Sequence, residues 1–343
     1  MKALLSREIG GPDSLTVETV DDPRAGPGEV VIDVEACGVN FPDALLIWDK
    51  YQIKAARPFS PGSEVCGFIS SLGTGVQGFA VGQRVIARCA WGGMAERVRV
   101  TADRCLPVPD GLPAEELATL QFTYATTFHA LQDRAALRKG ETLLVLGAAG
   151  GVGTAAVELG KAFGARVIAA CSSAEKQAFA ASRGADVTVA YPRAMDREGA
   201  KAFSNSIKEA AGTQGVDVIL DPVGGDYTEA ALRSIGRNGR LLVVGFPAGI
   251  ARIPMNLPLL KYCSIMGVDW RNFNINESAR SAENSRTLIK MYQRGEIRPT
   301  ISTIFPLGDA KTAIRQMADR AVLGKVAIRI ASSPKASAPR RRP

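Results

Sequence analysis

Histidine is almost absent from this sequence, and cysteine never occurs in closely spaced pairs. The single histidine among 343 residues is His129, and the six cysteines stand apart at positions 37, 66, 89, 105, 171 and 263. Structural zinc sites need four ligands, mostly Cys or His, and catalytic zinc sites need three protein ligands. The composition therefore disfavours zinc catalysis, and the scattered cysteines predict reduced thiols in a cytoplasmic protein.

Long apolar runs are also missing. None approaches the roughly 20 residues that a membrane-spanning helix needs. Residues 1–7 lead almost at once into a strand-like pattern that leaves no room for a signal peptide. We therefore expect no membrane partner. Hydrophobic residues still make up 46% of the chain, and the length of 343 residues predicts two domains with sizeable cores.

The charge is unbalanced toward basic residues, with a net charge of +8. Part of the excess lies in 332–343, a Ser-, Pro- and Arg-rich segment that we predict to be a disordered basic tail. Aromatic residues make up only 6% of the chain and are not interleaved with basic runs. This pattern disfavours nucleic acid as a partner, and the remaining positive charge suits an anionic cofactor.

A Gly-rich turn in the middle of the chain carries the strongest functional signal. The apolar run 143–146 is followed by Gly147, a turn at 148–153 with the sequence AAGGVG, and a helical pattern that ends near Gly164. This order of strand, turn and helix predicts a dinucleotide-binding loop, because small residues let the backbone and the helix N-terminus approach a pyrophosphate. The predicted contacts in the turn are Ala149, Gly150, Gly151, Val152 and Gly153.

Buried strands and helical stretches alternate after this turn. Apolar runs at 165–170, 187–189, 216–221 and 239–245 are separated by helical patterns. The alternation predicts an α/β fold with a doubly wound parallel sheet that helices cover on both faces.

The end of the second predicted strand distinguishes between the two nicotinamide cofactors. A site for NADH usually has Asp or Glu there, and this carboxylate holds the ribose 2′-hydroxyl. The present chain has Cys171, Ser172 and Ser173, with no acidic residue before Glu175. Hydroxyl groups and the ammonium of Lys176 suit a 2′-phosphate, so we predict NADPH. Ser173 also fits a helix N-cap, and Lys176 a solvated helix face.

The first 125 residues have a different pattern. Residues 29–36 alternate as a half-buried strand does, and short strands are predicted at 63–72, 84–88 and 95–100 between Gly and Pro turns. After about residue 260 helix and short strand return, and we interpret those strands as rejoining this mostly β module. The predicted domains are therefore 1–125 with 263–331, an inserted nucleotide domain at 126–262, and the tail at 332–343.

Several motifs, in order along nearly the whole chain, resemble one protein family. They are Cys37–Asp43, Pro61–Gly67, Gly82–Val85, the Gly-rich turn, Asp221–Gly225, Gly239–Gly245 and Gly324–Val326. On these residues the chain resembles the medium-chain dehydrogenases/reductases, and within them the zinc-independent NADPH:quinone oxidoreductase, or zeta-crystallin-like, branch. The resemblance implies a homodimer with a doubly wound Rossmann domain inserted in a GroES-like, mostly β catalytic domain.

Two positions separate this chain from the zinc enzymes of the family. Those enzymes carry a cysteine ligand where Asn40 stands and a histidine where Ser63 stands, and they have a four-cysteine loop that is absent around 88–94. The resemblance therefore implies zinc-independent hydride transfer from NADPH to quinones. The open alternatives are reduction of enones, 2-alkenals or enoyl thioesters, and a non-catalytic protein that binds NADPH or RNA.

The resemblance also implies roles for single residues. Asn40 and Tyr51 are expected beside the substrate, with Asn40 also near the nicotinamide. Leu45 stands where the family often has a pocket tyrosine, which favours an apolar or bulky acceptor. The further cofactor residues implied are Thr126 at the nicotinamide, Ser172, Lys176, Tyr191 and Arg320 on the adenosine-phosphate side, Val244, Gly245 and Phe246 along the nicotinamide pocket, and Val268, Asp269 and Trp270 near the carboxamide and the dimer partner.

Overall fold

The computed structural model describes residues 1–192 and 195–330, and the predicted tail at 332–343 lies outside them. The described chain forms two compact units. The first contains Met1–Phe122 and the segment that begins at Ile301, and the second contains Thr123–Thr300. The second unit is therefore continuous in sequence, whereas the first is built from two separate stretches.

Short strands and helices make up both units. The strands are β1 (Lys2–Leu5), β2 (Thr16–Thr19), β3 (Glu29–Val39), β4 (Glu64–Leu72), β5 (Arg84–Arg88), β6 (Arg97–Thr101), β7 (Cys105–Pro107), β8 (Thr142–Leu146), β9 (Arg166–Cys171), β10 (Val187–Ala190), β11 (Val216–Asp221), β12 (Ile235–Val243), β13 (Ser264–Gly267), β14 (Ile301–Pro306) and β15 (Lys325–Arg329). The α-helices are α1 (Phe41–Ile47), α2 (Ala114–Leu117), α3 (Ala125–Phe128), α4 (Gly151–Ala162), α5 (Ala174–Ser182), α6 (Arg197–Ala211), α7 (Asp226–Leu232), α8 (Asn256–Lys261), α9 (Trp270–Asn276), α10 (Ser278–Gln293) and α11 (Ala310–Ala318). Short 3₁₀ turns occur at Pro12–Ser14, Ala102–Arg104 and Leu307–Asp309, and π-helical turns at Leu120–Tyr124 and His129–Arg134. No helix within 1–192 or 195–330 is long and apolar enough to cross a membrane.

The first unit is built around a sheet in the order β14-β15-β3-β4-β5-β7, with β6 beside β3. Its paired strands are antiparallel except for β14 and β15. Residues 29–36 are predicted to be half-buried, but after Glu29 only Asp33 of β3 is exposed. The prediction was wrong because β3 is central in the sheet and both α2 and α11 pack against it. The core contains apolar side chains from these strands and from α1 and α11.

The second unit contains a six-stranded sheet in the order β10-β9-β8-β11-β12-β13. Every neighbouring pair in it is parallel. Strands β8 and β9 are buried almost throughout because they lie inside the sheet. Its core contains Leu144, Ile168, Phe203, Ile207 and Ile219. The predicted α/β fold with a doubly wound parallel sheet is confirmed.

The end of the inserted unit differs from the predicted boundary. Residues 263–300 are predicted to belong to the first domain, but β13 pairs in parallel with β12 at the edge of the second sheet. Helix α10 contacts α3, and both belong to the second unit. Strands β14 and β15, in contrast, do return to the first sheet. The sequence pattern after residue 260 indicates helix and strand, but it does not reveal which sheet a short strand extends.

Candidate cofactor site and active site

The predicted cofactor segments of the second unit meet at one edge of its sheet. In a doubly wound sheet the ligand binds outside the carboxyl ends of the strands, at the point where the strand order reverses. Here the reversal lies between β8 and β11. The segments that follow the strands along this edge are Gly147–Gly153 after β8, Ser172 after β9, Tyr191 after β10, Val244–Phe246 after β12 and Val268–Trp270 after β13.

The turn after β8 brings helix α4 against its own strand. Gly147 has a φ of 59°, a left-handed conformation that favours glycine. A Cβ atom on Gly153 would lie 2.2 Å from the carbonyl oxygen of Gly147 and 2.7 Å from Cα of Ala148. Only a hydrogen atom fits there, so the helix and the turn pack backbone against backbone.

The N-terminus of α4 offers a binding surface for an anion. Gly150 is its N-cap residue, and no side chain caps the helix. Gly150 is exposed, and residues 151–152 are half-buried beside the buried Ala149. Backbone N–H groups of the first turn lack intrahelical partners, and the helix dipole is positive at this end. The turn therefore fits the pyrophosphate of a dinucleotide.

The residues after β9 fit a phosphate better than a ribose hydroxyl. Ser173 is the N-cap of α5, and its Oγ accepts a hydrogen bond from the backbone N–H of Lys176 at 3.3 Å. Ser172 is half-buried, whereas Glu175 is exposed. Burial raises the pKa of Cys171 to about 11, and the nearby Lys176 ammonium opposes this shift. A hydroxyl and an ammonium thus stand at the end of β9, where NADH sites have a carboxylate.

Tyr191 follows β10 on the same edge of the sheet and is held by backbone and ring contacts. Its N–H donates to the carbonyl oxygen of Cys171 at 3.0 Å. Its ring meets Tyr227 and Phe203 edge-on, with centroid distances of 5.0 and 5.6 Å. The residue is half-buried, so its position beside β9 is fixed while part of its surface is open to a ligand.

Asp221, the last residue of β11, organises the loop at the reversal point. Its carboxylate accepts hydrogen bonds from Thr228 Oγ1 at 2.5 Å and from the backbone N–H groups of Val223 and Gly224 at 2.8 Å. Burial raises the pKa of Asp221, and these three donors oppose the shift. Its carbonyl oxygen accepts from the N–H of Val244 at 2.9 Å. Asp221 therefore ties the loops after β11 and β12 together, a role that sequence reasoning missed.

The residues predicted along the nicotinamide lie on separate elements of the second unit. Thr126 is buried in α3, and Oγ1 of the next residue, Thr127, donates to the carbonyl oxygen of Val152 at 3.3 Å. Residues 244–245 are half-buried after β12. Phe246 is 61% exposed, so within this unit its side chain is not part of the core.

The segment after β13 extends the parallel pairing of the sheet. The N–H of Val268 donates to the carbonyl oxygen of Val243 at 3.0 Å. The Asp269 carboxylate caps helix α9 by accepting from the backbone N–H of Asn272 at 2.9 Å. Trp270 is the first residue of that helix and is half-buried.

The first unit holds the other predicted residues. Leu45 lies on α1 and Tyr51 packs against the apolar core, and both are half-buried. Arg320 follows α11, is exposed and has a φ of 56°. The roles of these three residues stay predictions.

Asn40 lies where three neighbouring strands of the first sheet end or begin. Strand β3 ends at Val39, β4 begins at Glu64 and β15 begins at Lys325. Because β4 and β15 both pair antiparallel with β3, their first residues meet the end of β3. Sequence reasoning singled out Asn40 and missed its two charged neighbours, although both stand in the motifs that resemble the family.

Asn40 is buried in a network of ionic and amide groups. Lys325 Nζ donates to Asn40 Oδ1 at 2.5 Å and to Glu64 Oε1 at 3.0 Å. Asn40 Nδ2 donates to Glu64 Oε1 at 2.9 Å. The other oxygen of Glu64, Oε2, accepts from the backbone N–H of Phe122 at 2.8 Å. The backbone N–H of Asn40 donates to Asp43 Oδ2 at 2.7 Å, which fixes Asn40 at the start of α1.

The two positions that the family resemblance matches to zinc ligands, Asn40 and Ser63, are neighbours in this fold. Ser63 Oγ lies 3.5 Å from Asn40 Nδ2, so an amide and a hydroxyl replace the thiolate and imidazole that zinc prefers. In the part of the chain that the structure describes, no group of three His, Cys, Asp or Glu side chains could hold a metal ion. His129 belongs to the second unit, where Nδ1 lies 2.9 Å from Asp133 Oδ2 and the ring stacks on Phe273.

Asp43 should make the stability of the first unit depend on pH. Burial raises the pKa of Asp43 to about 7, and the backbone N–H groups of Asn40 and Gly62 and the Lys325 ammonium oppose the shift, while Glu64 adds to it. A carboxyl with a raised pKa in the folded state contributes most stability at acid pH and loses it as pH rises toward the folded pKa. The expected loss from this group is up to about 1.4 kcal/mol per pH unit.

Urea unfolding of the wild type and Asp43→Asn across this range measures that contribution. The difference in unfolding free energy between the two proteins should change with pH from near 3.8 to about 7. The exposed Asp319→Asn variant is the control and should follow the wild type. Parallel pH profiles for the wild type and Asp43→Asn would show that Asp43 titrates normally.

Two family models match this chain. The model described as alcohol dehydrogenase GroES-like domain matches residues 26–110, which lie in the first unit. The model described as zinc-binding dehydrogenase matches residues 151–285, which lie in the second unit.

Relatives and solved structures resemble the chain over almost its whole length. Quinone oxidoreductase-like protein 2 of Mus musculus is 36% identical over 327 residues, which are 95% of this chain and 91% of the relative. The quinone oxidoreductase of Thermus thermophilus, solved also in its complex with NADPH, is 35% identical with a TM-score of 0.79, and the match covers 96% of this chain and 100% of that chain. The enoyl reductase CurK is 26% identical with a TM-score of 0.85, over 96% of this chain and 99% of that chain.

Proposed function

Because the chain belongs to the quinone oxidoreductase branch of the medium-chain dehydrogenase/reductase superfamily, we propose that it transfers hydride from NADPH to quinones without a metal ion. The observation that carries the proposal is the pair of Asn40 and Ser63, which lie 3.5 Å apart where zinc relatives have metal ligands. An acceptor bound beside an amide and a hydroxyl must itself be electron-poor. A quinone meets this need because the charge that arrives with hydride spreads over its ring and oxygens.

NADPH is the cofactor of this oxidoreductase. The Thermus quinone oxidoreductase, 35% identical over 96% of this chain, is solved in complex with NADPH. The hydroxyl and ammonium after β9 suit its 2′-phosphate. The cofactor predicted from the missing carboxylate after β9 is therefore confirmed.

The proposed contacts with NADPH rest on the positions of residues after the strands and, for Asn40, Thr126 and Arg320, on the family resemblance. The turn after β8 suits the pyrophosphate because its backbone N–H groups have no intrahelical partners. The residues after β9 and β10 suit the adenosine phosphate, and those after β12 and β13 the nicotinamide. The proposed cofactor residues are Asn40, Thr126, Ala149, Gly150, Gly151, Val152, Gly153, Ser172, Lys176, Tyr191, Val244, Gly245, Phe246, Val268, Asp269, Trp270 and Arg320.

The reaction requires stabilisation of a negatively charged oxygen. When bound, NADPH supplies a hydride, which is a proton with two electrons. The quinone accepts it, negative charge develops on a quinone oxygen, and one proton from water completes the hydroquinone, while NADP⁺ remains. Asn40 donates a hydrogen bond from Nδ2 to that oxygen and so lowers the barrier. Tyr51 and Leu45 border the acceptor and favour a flat, apolar ring.

A comparison of acceptors tests the proposed function. NADPH consumption is measured with 1,4-benzoquinone, 9,10-phenanthrenequinone, an enone and an enoyl thioester. The quinones should give kcat/KM values at least roughly tenfold above the other acceptors, a difference of about 1.4 kcal/mol in barrier. A higher kcat/KM for the enoyl thioester than for the quinones would favour enoyl reduction as the function. If the protein binds NADPH but reduces none of these acceptors, the result would favour a non-catalytic NADPH-binding protein.

Enoyl reduction is the second candidate function. The enoyl reductase CurK matches 96% of this chain with a TM-score of 0.85. Hydride addition to an activated alkene also places negative charge on a carbonyl oxygen, and the same Asn40 Nδ2 donor would stabilise it. The two functions thus share a site and differ in the shape of the acceptor. Leu45 borders the acceptor and so affects which shape fits.

The purified protein should contain no stoichiometric zinc and keep its full activity in a chelator. The reason is the donor set, because the amide of Asn40 and the hydroxyl of Ser63 are poor ligands for zinc. Elemental analysis and activity after dialysis against a chelator measure both points. One zinc ion per subunit, with activity that disappears on its removal, would contradict the expectation.

The chain should form a homodimer through β13. This strand is the edge of the second sheet, and an edge strand offers unpaired backbone groups to another chain. The surface of the segment before it is apolar, because Ile250, Met255, Leu259, Leu260 and Tyr262 are each at least 60% exposed. A second copy of the chain fits this edge, since two β13 strands can pair antiparallel about a twofold axis.

Light scattering of an Ile265→Lys variant tests this dimer. Ile265 lies on β13 and is 37% exposed, so a charge there should give a monomer that still binds NADPH. The matched control is Ile304→Lys, since Ile304 is 41% exposed on β14, the edge strand of the first sheet. A monomeric wild type, or an Ile265→Lys variant that remains dimeric, would argue against the β13 interface.

A further inference from the structure

The first unit buries a complete ion pair beside Asn40. The side chains of Lys325 and Glu64 are 3% and 1% exposed and lie 3.0 Å apart. Burial of two charges costs several kcal/mol each, and a hydrophobic pair of similar volume often gives equal or greater stability. Stability alone therefore does not account for this pair.

The ammonium of Lys325 determines which way the Asn40 amide points. Its three N–H donors have three acceptors, at 3.0 Å from Val39 O, 2.5 Å from Asn40 Oδ1 and 3.0 Å from Glu64 Oε1. An ammonium group has no acceptor capacity. The amide oxygen of Asn40 must therefore face Lys325, since the opposite orientation would set N–H groups against a buried cation.

Glu64 binds the NH₂ group of the same Asn40 amide. Its Oε1 accepts one N–H of Asn40 Nδ2 at 2.9 Å. The second N–H points toward the half-buried Ser63, whose Oγ lies at 3.5 Å, close to the upper limit for a hydrogen bond. This N–H can therefore form a shorter bond to an oxygen of a bound molecule. The cation on Oδ1 also polarises the amide and strengthens its N–H donors.

We propose that Lys325 and Glu64 are positioning residues that lock the side-chain amide of Asn40 with its NH₂ group toward Ser63, where it donates to the oxygen of the acceptor. The inference rests on the proposed function, in which this oxygen becomes negatively charged during hydride transfer. Neither charged residue touches the acceptor. Their effect on catalysis passes through Asn40, and it combines a fixed orientation with a stronger donor.

A double-mutant cycle separates positioning from general stability. The Lys325→Met/Glu64→Gln variant removes both charges together, so neither partner is left as an unpaired buried charge. Its kcat should fall roughly 10- to 100-fold, as expected when one preorganised donor is lost, while the Kd for NADPH changes much less, because Asn40 is only one of the many proposed cofactor contacts. Asn40→Ala should cause a similar loss alone and little further loss in the variant background, because residues that act as one unit are not additive.

A second buried ion pair in the same unit provides the matched control. Arg84 and Glu35 lie 2.8 Å apart and are 5% and 4% exposed. Arg84→Met/Glu35→Gln should change the unfolding free energy by a similar amount and leave kcat unchanged. Additive losses for Asn40 and the Lys325–Glu64 pair, or an equal kcat loss in this control, would overturn the inference.

The orientation of the amide can also be measured without turnover. The Asn40 side-chain NH₂ resonances, assigned by their loss in Asn40→Ala, should exchange slowly with water in the wild type and rapidly in Lys325→Met/Glu64→Gln. Rapid exchange in the wild type would overturn the inference even if the double variant fails to fold. If the wild type shows slow exchange but reduces no acceptor, the proposed function is overturned, whereas the fixed orientation of the Asn40 amide is supported.

Discussion

Replacement of Gly153 by alanine should raise the Kd for NADPH by roughly 10- to 100-fold and destabilise the second unit by about 1–3 kcal/mol. The new Cβ would lie 2.2 Å from the carbonyl oxygen of Gly147, and a backbone atom cannot move aside as the end of a side chain can. Helix α4 must shift away from its strand, and the N–H groups at its N-terminus shift with it. Isothermal titration with NADPH and urea unfolding measure the two effects.

Gly160→Ala is the matched control on the same helix. Its Cβ would approach side-chain atoms, Leu143 Cδ2 at 2.7 Å and Val167 Cγ2 at 3.0 Å, at a position about 10 Å along the helix from Gly153. This variant should lose stability and keep its affinity for NADPH. If Gly153→Ala binds NADPH as the wild type does, the turn after β8 is not the pyrophosphate site.

Replacement of Lys176 by alanine should weaken NADPH binding roughly 10- to 100-fold and leave NADH binding nearly unchanged. A charge-assisted hydrogen bond contributes about 1.5–3 kcal/mol, which corresponds to this range in Kd. Only NADPH carries the 2′-phosphate that the ammonium would contact. Titration of both cofactors into the wild type and the variant gives the two ratios.

Lys201→Ala provides the control for loss of a positive charge in the same unit. Lys201 is exposed on α6, so this variant should bind both cofactors as the wild type does. Equal losses of NADPH and NADH affinity in Lys176→Ala would place Lys176 away from the 2′-phosphate. The cofactor preference would then depend on other residues after β9.

Local sequence patterns were sufficient to predict the sheet of the second unit. Strand β8 is a continuous apolar run because the strand lies inside the sheet, and the Gly-rich turn is contiguous in sequence. The end of this unit could not be predicted in the same way. Strand β13 is short and largely exposed, so its sequence carries neither the apolar run nor the alternation that indicates which sheet it joins.

The residues of the candidate site also fall into those that the sequence singles out and those that it does not. Gly153 and Lys176 are singled out by short motifs whose chemistry is local, and Asn40 by the family resemblance, and the roles of all three stay predictions. The partners of Asn40 could not be predicted, because Lys325 is 285 residues away in sequence and reaches Asn40 only through the pairing of β15 with β3. The signal available in the sequence was a lysine directly before the apolar run 326–328, since a lysine drawn into a core requires acceptors.

Two carboxylates show a further limit of sequence patterns. Asp43 and Asp221 both look like ordinary turn or helix-start residues. In the structure Asp43, in the first turn of α1, and Asp221, at the end of β11, are buried and each accept two backbone N–H groups. Three of these contacts lie within three residues along the chain. The contact of Asp43 with the N–H of Gly62 spans 19 residues and depends on the packing of the first unit.

A single-turnover measurement of hydride transfer tests the central claim most directly. Protein treated with a chelator is loaded with NADPH and mixed with one equivalent of 9,10-phenanthrenequinone, and NADPH absorbance is followed. One NADPH should be consumed per quinone, and deuterium at the transferred position should slow the reaction. Two results would contradict metal-free quinone reduction. In the first, NADPH is not consumed with the quinone but is consumed with an enoyl thioester. In the second, NADPH is consumed only after zinc is added.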